Sequence, residues 1–545
     1  MAGACLGVKT VSKFGRARED GARARASIIT RACVVVTAVV FATLAFALPV
    51  RATAALGGAY PGARARAGAR TRLWAENVPG ARSIVSAGGE FIVLERGTGS
   101  VVLLYDDNDD GYSDASERVT LVTQAGLNHG VDIAWSRGFL FASDADNVWR
   151  WPIVVNSTNK KVSRSVITAA PTKVVRDISR GTYSAASGTT AHGHSTRTLV
   201  VNEVRGELYI QVGSVGNVDE VPYRAAIRKM SLDDAVSTNN ALLPFDYRDL
   251  KVLASGIRNT VGLALDPYSL SEVMYGVDNG PDNARYSGQD VHNDNPGEEV
   301  NRFVLSHTGE TFYGYPFCMS EFSMPTSVGG MGRGTQFVWS GQDRDFSGLY
   351  SDAWCRNASN QLPPIVSMQA HSAPLGIEFV DCASYNFTGN RSLPCSEYDG
   401  WAFVAFHGSW NRRPATGYKI VALPFESKTN RTATGEVVDI VSSDGPGATW
   451  ATGLRPVDVA LDSLRGRLMF TSDSTGEILV IESATPSPPT PSPSTPNPST
   501  PNPPTPNPST PNPSSAQNST SSPKSGSSTR RVAFVTCLLL PFLCL

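Results

Sequence analysis

The sequence predicts an all-β fold, a six-bladed β-propeller, on three observations. Short apolar runs of period two recur with no long helical stretch between them. They recur as one ordered unit of three or four strands, six times between Leu73 and Ser483. Glycine, 49 residues in all, and other turn formers punctuate the runs. Two separate sandwiches would hold as many strands but would not repeat one unit six times in order.

Each unit is read from its strands. The first has Ser83–Val85, Phe91–Leu94 and Val101–Leu104, and the second Val131–Ala134, Phe139–Ala142 and Val148–Trp151. The third has Thr198–Val201, Leu208–Val212 and Ile227–Met230, and the fourth Val261–Leu265, Val273–Val277 and Glu299–Phe303. A long insertion precedes the fifth, which has Leu375–Phe379, Ala402–Phe406 and Lys419–Leu423. The sixth has Val457–Leu461, Arg467–Thr471 and Ile478–Ile481.

Composition agrees with this reading and narrows the function. Of 545 residues, 48 are Lys or Arg and 49 are Asp or Glu, so the net charge of −1 gives no electrostatic reason to expect nucleic acid as a partner. With 41% hydrophobic and 18% charged residues, a sizeable core forms, and neither a coiled coil nor a multi-span membrane protein is indicated.

The ends of the chain differ from its body. Residues 1–54 carry a basic leader, an apolar run from Ala32 to Val50 and the small-residue site Ala52-Thr53-Ala54. That order describes a secretory signal peptide, and the run is also long enough for an uncleaved anchor. Residues 55–72 read as a linker and 73–483 as the propeller. Residues 484–529, with repeated Thr-Pro-Asn-Pro and Ser-Pro units, read as an extended stalk that resembles hydroxyproline-rich cell-wall stalks. Small residues at Ser527–Thr529 followed by the apolar tail 530–545 read either as a glycolipid-anchor signal or as a tail too short to span a membrane. Export to the cell surface or wall, with membrane attachment through a terminus, is the expectation.

Cysteine use fits export. Cys5, Cys33, Cys537 and Cys544 lie in the ends, leaving Cys318, Cys355, Cys382 and Cys395, an even number with three pairings. Asn156, Asn357, Asn386, Asn390, Asn430 and Asn518 head glycosylation sequons.

Propellers bind ligands where inner strands and their loops converge on the channel, and these loops hold the chemistry. They read Ala191–Arg197, Ser255–Asn259, Asp278–Asp282, Gln369–Pro374, His407–Arg412 and Gly453–Pro456. The chain has only seven His, and several fall here beside Arg and Trp. Arg side chains around one channel point to an anionic ligand, because guanidinium forks match carboxylates. An isolated His or Arg at such a place also serves merely to tie blades together.

The strings His194-Ser195-Thr196-Arg197, Gly256-Ile257-Arg258-Asn259, Gly280-Pro281, Tyr313-Gly314-Tyr315-Pro316, His371–Gly376 and His407–Arg412 resemble the soluble quinoprotein glucose/sorbosone dehydrogenases, nearest to the pyrroloquinoline-quinone-dependent pyranose dehydrogenases. The resemblance covers most of residues 73–483 in the family's order. It implies a pyrroloquinoline quinone cofactor, a calcium ion, a sugar substrate and a separate electron acceptor. It implies that His194 is the general base and that Arg258 and Asn259 contact the quinone oxygens. Gly280 and Pro281 then offer carbonyl oxygens to calcium, a hard cation suited to them. Arg455 holds a cofactor carboxylate, and Arg82, His371, Trp410 and Arg412 complete the cofactor and sugar pocket. His129 is the rival base.

The sequence also departs from the family's pattern. Val457 stands where the glucose-oxidising branch has a second arginine, and residues 285–295 are an insertion beside the calcium position, leaving Asp282, Asp294 and Glu298 unranked as ligands. No Cys-x-x-Cys-His motif for haem occurs.

One motif stands apart. Asp106, Asn108, Asp110, Gly111, Asp114 and Glu117 have the full spacing of a calcium loop, although it follows a strand and no helix. The same spacing also describes an acidic solvated turn. The expected function is thus an extracellular quinone- and calcium-dependent sugar dehydrogenase; the alternative is a non-catalytic propeller that binds wall glycans or a protein. A metal-dependent lactonase would need carboxylates and amides converging on the channel, where these loops carry Arg and His.

Overall fold

The computed structural model describes residues 58–485 apart from 180–182, 185–188, 191–192, 222, 239–240, 384–390 and 446. The leader, most of the stalk, the apolar tail, the sequons at Asn386, Asn390 and Asn518 and the four terminal cysteines lie outside the described residues.

Six sheets of four or five strands form the six blades in the order of the six repeats, antiparallel except for a short parallel fifth strand at the outer edge of blades 2 and 3. Their innermost strands are Ala81–Ala87, Val131–Ala134, Leu199–Asn202, Thr260–Leu265, Pro374–Phe379 and Pro456–Asp462. Each blade also has a fourth strand that the apolar pattern does not reveal: Arg118–Thr123, Thr172–Arg176, Lys251–Ser255, Val366–Met368, Val438–Ser443 and Ala69–Ala75. Most of these outer strands are part-exposed, so polar residues interrupt their alternation.

Apolar side chains are sorted by blade interface. One buried cluster joins blades 1 and 2 through Leu94, Leu103, Ile133 and Leu140. Equivalent clusters join blades 2 and 3, 3 and 4, 4 and 5, 5 and 6, and 6 and 1. Each blade therefore has both faces covered, which is why its strands run as near-continuous apolar stretches.

The boundary between linker and propeller requires a correction. Ala63–Ala65 pairs with Val441–Ser443 at the edge of blade 5, and Ala69–Ala75 pairs with Ile478–Ser483 as the outer strand of blade 6. The arginines that disguised this strand face a carboxylate: Arg70 Nε and Arg72 Nε lie 2.8 and 3.1 Å from Glu482 Oε1. A buried carboxylate shared by two guanidiniums makes a basic strand compatible with a closed sheet.

The insertion before blade 5 packs its own small core around Trp339 and Phe346 and carries the hairpin Cys318–Ser320/Gln336–Val338. Disulfides join Cys318 to Cys355 and Cys382 to Cys395, which resolves the three pairings to the nearest-neighbour one. Asn156, Asn357 and Asn430 are exposed.

Along the channel the inner strands approach closely. A Cβ on Gly376 would come within 2.5 Å of Asp458 Oδ1 and 2.9 Å of the Val457 carbonyl, so only glycine fits. Val261, Leu375 and Val457 form a small buried cluster at the start of three inner strands. The inner strands of blades 2, 5 and 6 also carry Asp132, Glu378 and Asp458. Asp132 Oδ2 accepts the Val201 amide at 2.7 Å and Asp458 Oδ2 accepts the Ile84 amide at 3.0 Å, so these acids stitch neighbouring inner strands together.

Candidate active site

The loops entering and leaving blades 3 to 6 are tied together by hydrogen bonds at the end of the channel where the inner strands begin. His194 enters from the loop before blade 3. Its Nδ1 lies 2.9 Å from the Ser214 carbonyl and its backbone amide bonds the same oxygen at 3.0 Å. A carbonyl only accepts, so Nδ1 bears the proton and Nε2 presents its lone pair. Arg197, 1% exposed, grips the His194 carbonyl with Nη1 at 2.6 Å and the Ala145 carbonyl with Nε at 2.9 Å, fixing the loop to blade 2. Burial first, and then the Arg258 guanidinium, push His194 down to about 3, so its ring is neutral over the physiological range.

Arg258 and Asn259 enter from blade 4. Their amides both bond the buried Asp278 carboxylate, at 2.8 and 2.6 Å, which sets the turn. The Arg258 guanidinium is held mainly by oxygens of uncharged groups: the Asn217 carbonyl at 3.1 Å, Asn217 Oδ1 at 3.2 Å and the Asn279 carbonyl at 3.2 Å, with Asp282 at 4.0 Å. Asn217 is therefore the knot of the site, and Tyr315 of the Tyr-Gly-Tyr-Pro string donates to its carbonyl at 3.2 Å. Gly213 makes room for these loops; a Cβ there would meet Asn259 Oδ1 at 2.6 Å and His194 Cβ at 2.8 Å. His194 and Asn259 thus converge on one spot.

Gly280 and Pro281 follow directly. The Gly280 amide bonds Glu298 Oε2 at 2.7 Å and the Ala373 amide bonds Oε1 at 3.1 Å, so a buried carboxylate ties blade 4 to the His371 loop. Among the described residues no donor bonds the carbonyl oxygens of Gly280 or Pro281. Burial raises Glu298 to about 7, against the pull of His371. Asp282 Oδ1 accepts Asn411 Nδ2 at 2.7 Å and lies 3.4 Å from His371 Nδ1. Burial alone would raise Asp282, but His371 and Arg258 hold it below the ordinary carboxylate range.

His292, which sequence reasoning passed over as part of an insertion, completes this corner. Asp282, His292 and His371 bring ligating atoms within 4.8 Å of one another. These nitrogens already have partners: His292 Nδ1 accepts the Asn283 amide at 2.9 Å and His371 Nε2 donates to the His292 carbonyl at 2.5 Å.

Blades 5, 6 and 1 supply the remaining wall. Arg455 places Nε 3.1 Å from the His407 carbonyl and Nη2 2.8 Å from the Gly408 carbonyl, and no carboxylate pairs with it among the described residues. Arg82 by contrast is paired with Asp473 at 2.9 Å, which also accepts His407 Nε2 at 3.0 Å. His129 is 2% exposed with an unpartnered Nδ1, and burial and the nearby Arg82 hold it far below the ordinary imidazole value. Trp410 stands 79% exposed at the rim. Arg412 points elsewhere: its guanidinium is spent on Asn293 O, Pro414 O and Asp294, each at 2.7 Å, pinning the 292–294 turn.

The wall is thus under-satisfied as built. Asn259 Oδ1, Ser372 Oγ, Asn411 Oδ1, His129 Nδ1 and Arg82 Nε are buried without partners. Such groups beside Arg455, which has no carboxylate partner among the described residues, and Arg258, whose nearest carboxylate is Asp282 at 4.0 Å, fit a polar, anionic ligand. Two free carbonyl oxygens fit a hard cation.

Comparison with known proteins places the propeller among named relatives. Residues 63–484 match the TrAA12-like family. A pyrroloquinoline quinone-dependent sugar dehydrogenase of Hypocrea jecorina is 28% identical over 442 residues, 78% of this chain and 90% of that protein. A pyrroloquinoline quinone-dependent pyranose dehydrogenase of Coprinopsis cinerea is 30% identical over 428 residues, 72% of this chain but only 51% of that one. Among solved structures, the calcium structure of the Trichoderma reesei Carbohydrate-Active Enzymes Family AA12 protein superimposes with a TM-score of 0.62 at 28% identity, covering 78% of this chain and 98% of that one. The holo pyranose dehydrogenase PQQ domain from Coprinopsis cinerea gives 0.60 at 25% identity, covering 77% and 97%.

Proposed function

The chain belongs to the TrAA12-like family, and from that premise we propose that it is an extracellular pyrroloquinoline-quinone-dependent sugar dehydrogenase that oxidises a hydroxyl of a pyranose or related aldose. One observation carries the reading. Arg258 and Arg455 lie on linked channel-end loops and are braced mainly by carbonyl and amide oxygens, the nearest carboxylate being Asp282 at 4.0 Å from Arg258, and neutral His194 leaves Nε2 without a partner among the described residues. When bound there, the quinone supplies the two-electron acceptor that sugar oxidation needs, and calcium supplies Lewis acidity.

The chain's own residues do the rest. Arg455 and Arg258 bind and orient the cofactor's anionic groups, and Arg82 contributes through the positive end of its pair with Asp473. Asn259, Asn411 and Ser372 use their unpartnered atoms for cofactor or sugar polar groups. Gly280 and Pro281 offer calcium their carbonyls. His194 Nε2 accepts the proton of the sugar hydroxyl; Ser214 holds the ring in the tautomer this requires. Trp410, exposed at the rim, offers an apolar face to the pyranose ring.

Two disulfides and exposed sequons support an oxidising, extracellular location, and the leader, stalk and tail support display at the cell surface. Electrons then leave to a separate acceptor. The test is reconstitution of secreted protein with quinone and calcium, followed by dye reduction across monosaccharides. Sugar-dependent turnover that needs both additions is expected; quinone that does not bind would reduce the protein to a binding propeller.

A further inference from the structure

The loop between the third and fourth strands of blade 1 lies outside the cavity, and its motif has no part in the function above. We propose that residues 106–117 bind a calcium ion of their own, and that this ion clasps blade 1 to the closing strand and to blade 6.

The acidic side chains of this loop divide into two sets. Asp107 and Asp109, at the intervening positions, face outward and meet arginines of other blades. Arg164 reaches Asp107 at 2.6 Å and Arg465 reaches Asp109 at 3.1 Å. Asp106, Asp110, Asp114 and Glu117 have no arginine or lysine partner among the described residues. Four carboxylates with no paired cation are thus gathered in one twelve-residue turn.

Asp106 shows that something is missing. It is 8% exposed, and its Oδ2 accepts the Gly111 amide at 3.1 Å, so the carboxylate is aimed into the loop. Its Oδ1 is buried and has no hydrogen-bond partner among the described residues. A buried anionic oxygen with no donor carries the full desolvation penalty, and neighbouring acids add to it. The charge of Arg465 offsets part of this, and a cation bound in the loop relieves the rest. Asn108 Oδ1, Asp110 Oδ1 and Glu117 Oε2 each hold one loop amide, at 2.9, 2.8 and 3.2 Å, and retain a lone pair for a second partner. An all-oxygen set of this charge selects calcium over softer metals.

The loop's surroundings give the ion its role. The Ser113 amide bonds the Trp74 carbonyl at 2.7 Å, and Arg72 of the same closing strand bonds the Gly111 carbonyl. Arg465 belongs to the first turn of blade 6. Ordering the loop therefore orders three contacts across the junction where the ring shuts.

The test uses the full secreted protein stripped of metal, with no quinone added. Terbium bound in this loop is excited through Tyr112, and calcium displaces it. Wild type should show tyrosine-sensitised emission and a melting temperature that rises with calcium. Asp106→Asn and Glu117→Gln should each weaken calcium binding about tenfold or more and remove most of that rise, with far-ultraviolet dichroism unchanged. The cavity site uses backbone carbonyls and is untouched by either change. Emission and calcium-dependent melting that persist unaltered in Glu117→Gln would place the ion elsewhere and overturn the proposal, as would wild type whose melting ignores calcium.

Discussion

The channel's two halves place opposite charges in similar confinement. Where the inner strands begin, Arg258 and Arg455 are held by carbonyl and amide oxygens and His194 is kept neutral. Beyond Val261, Leu375 and Val457, the wall turns acidic, with Asp132, Glu378 and Asp458. Asp132 and Asp458 accept amides of adjoining inner strands and Glu378 accepts the amide of Phe379 in its own strand, and burial raises Asp132, Glu378 and Asp458 to about 7, 8 and 6. At the first half a charge is left without a close counterion and waits for a ligand; at the second it is suppressed by holding its proton. Confinement alone does not make a site; what distinguishes one is whether the chain satisfies its own polar groups.

That contrast is most sharply broken by His194→Ala. Turnover should fall by about 10²–10⁴-fold with quinone binding retained, whereas Glu378→Gln should leave turnover within about twofold of wild type; steady-state dye reduction compares them. Arg455→Ala should weaken quinone binding by about tenfold or more, read by fluorescence titration, because the lost contact is charge-assisted. The acidic half predicts a different signature. Carboxylates whose folded values are raised bind more protons folded than unfolded, so the stability they contribute is present at low pH and lost as pH rises through about 6 to 8. The melting temperature should fall over that window, and Glu378→Gln should shallow the fall. His194 has the opposite sign, depressed to about 3, so the pH–rate profile should show no limb near the ordinary imidazole value; a limb there would assign the base elsewhere. Trp410→Ala should raise KM for the sugar a few-fold with kcat little changed.

Much of this was legible in the sequence because short, near-continuous apolar runs bounded by turn residues report strands buried on both faces. The three inner strands of each blade therefore surfaced, while half-exposed outer strands such as Thr172–Arg176 did not. Ala69–Ala75 was hidden by arginines whose partner, Glu482, lies more than 400 residues away. Family motifs pointed to His194, Arg258, Asn259 and Gly280, and the structure joins their loops by hydrogen bonds at one end of the channel. Arg412 is directed to the 292–294 turn instead. Asn217 and His292 carried no local signal, since each matters only through loops brought together by folding. The acids of the second half did leave one: Val-Asp-Ile-Ala, Gly-Ile-Glu-Phe and Val-Asp-Val-Ala each set a charge inside an apolar strand.

Blade 6 owes its outermost strand to residues that precede blade 1, with Ala69 opposite Ser483. A ribosome delivers those two partners at opposite ends of the job. Blades 1 to 5 can assemble as they emerge, but the ring stays an open crescent until the last hairpin arrives. Contacts of such sequence separation make the final step the slow one. Catalytic competence is therefore acquired late and all at once, when circle and cavity are completed together.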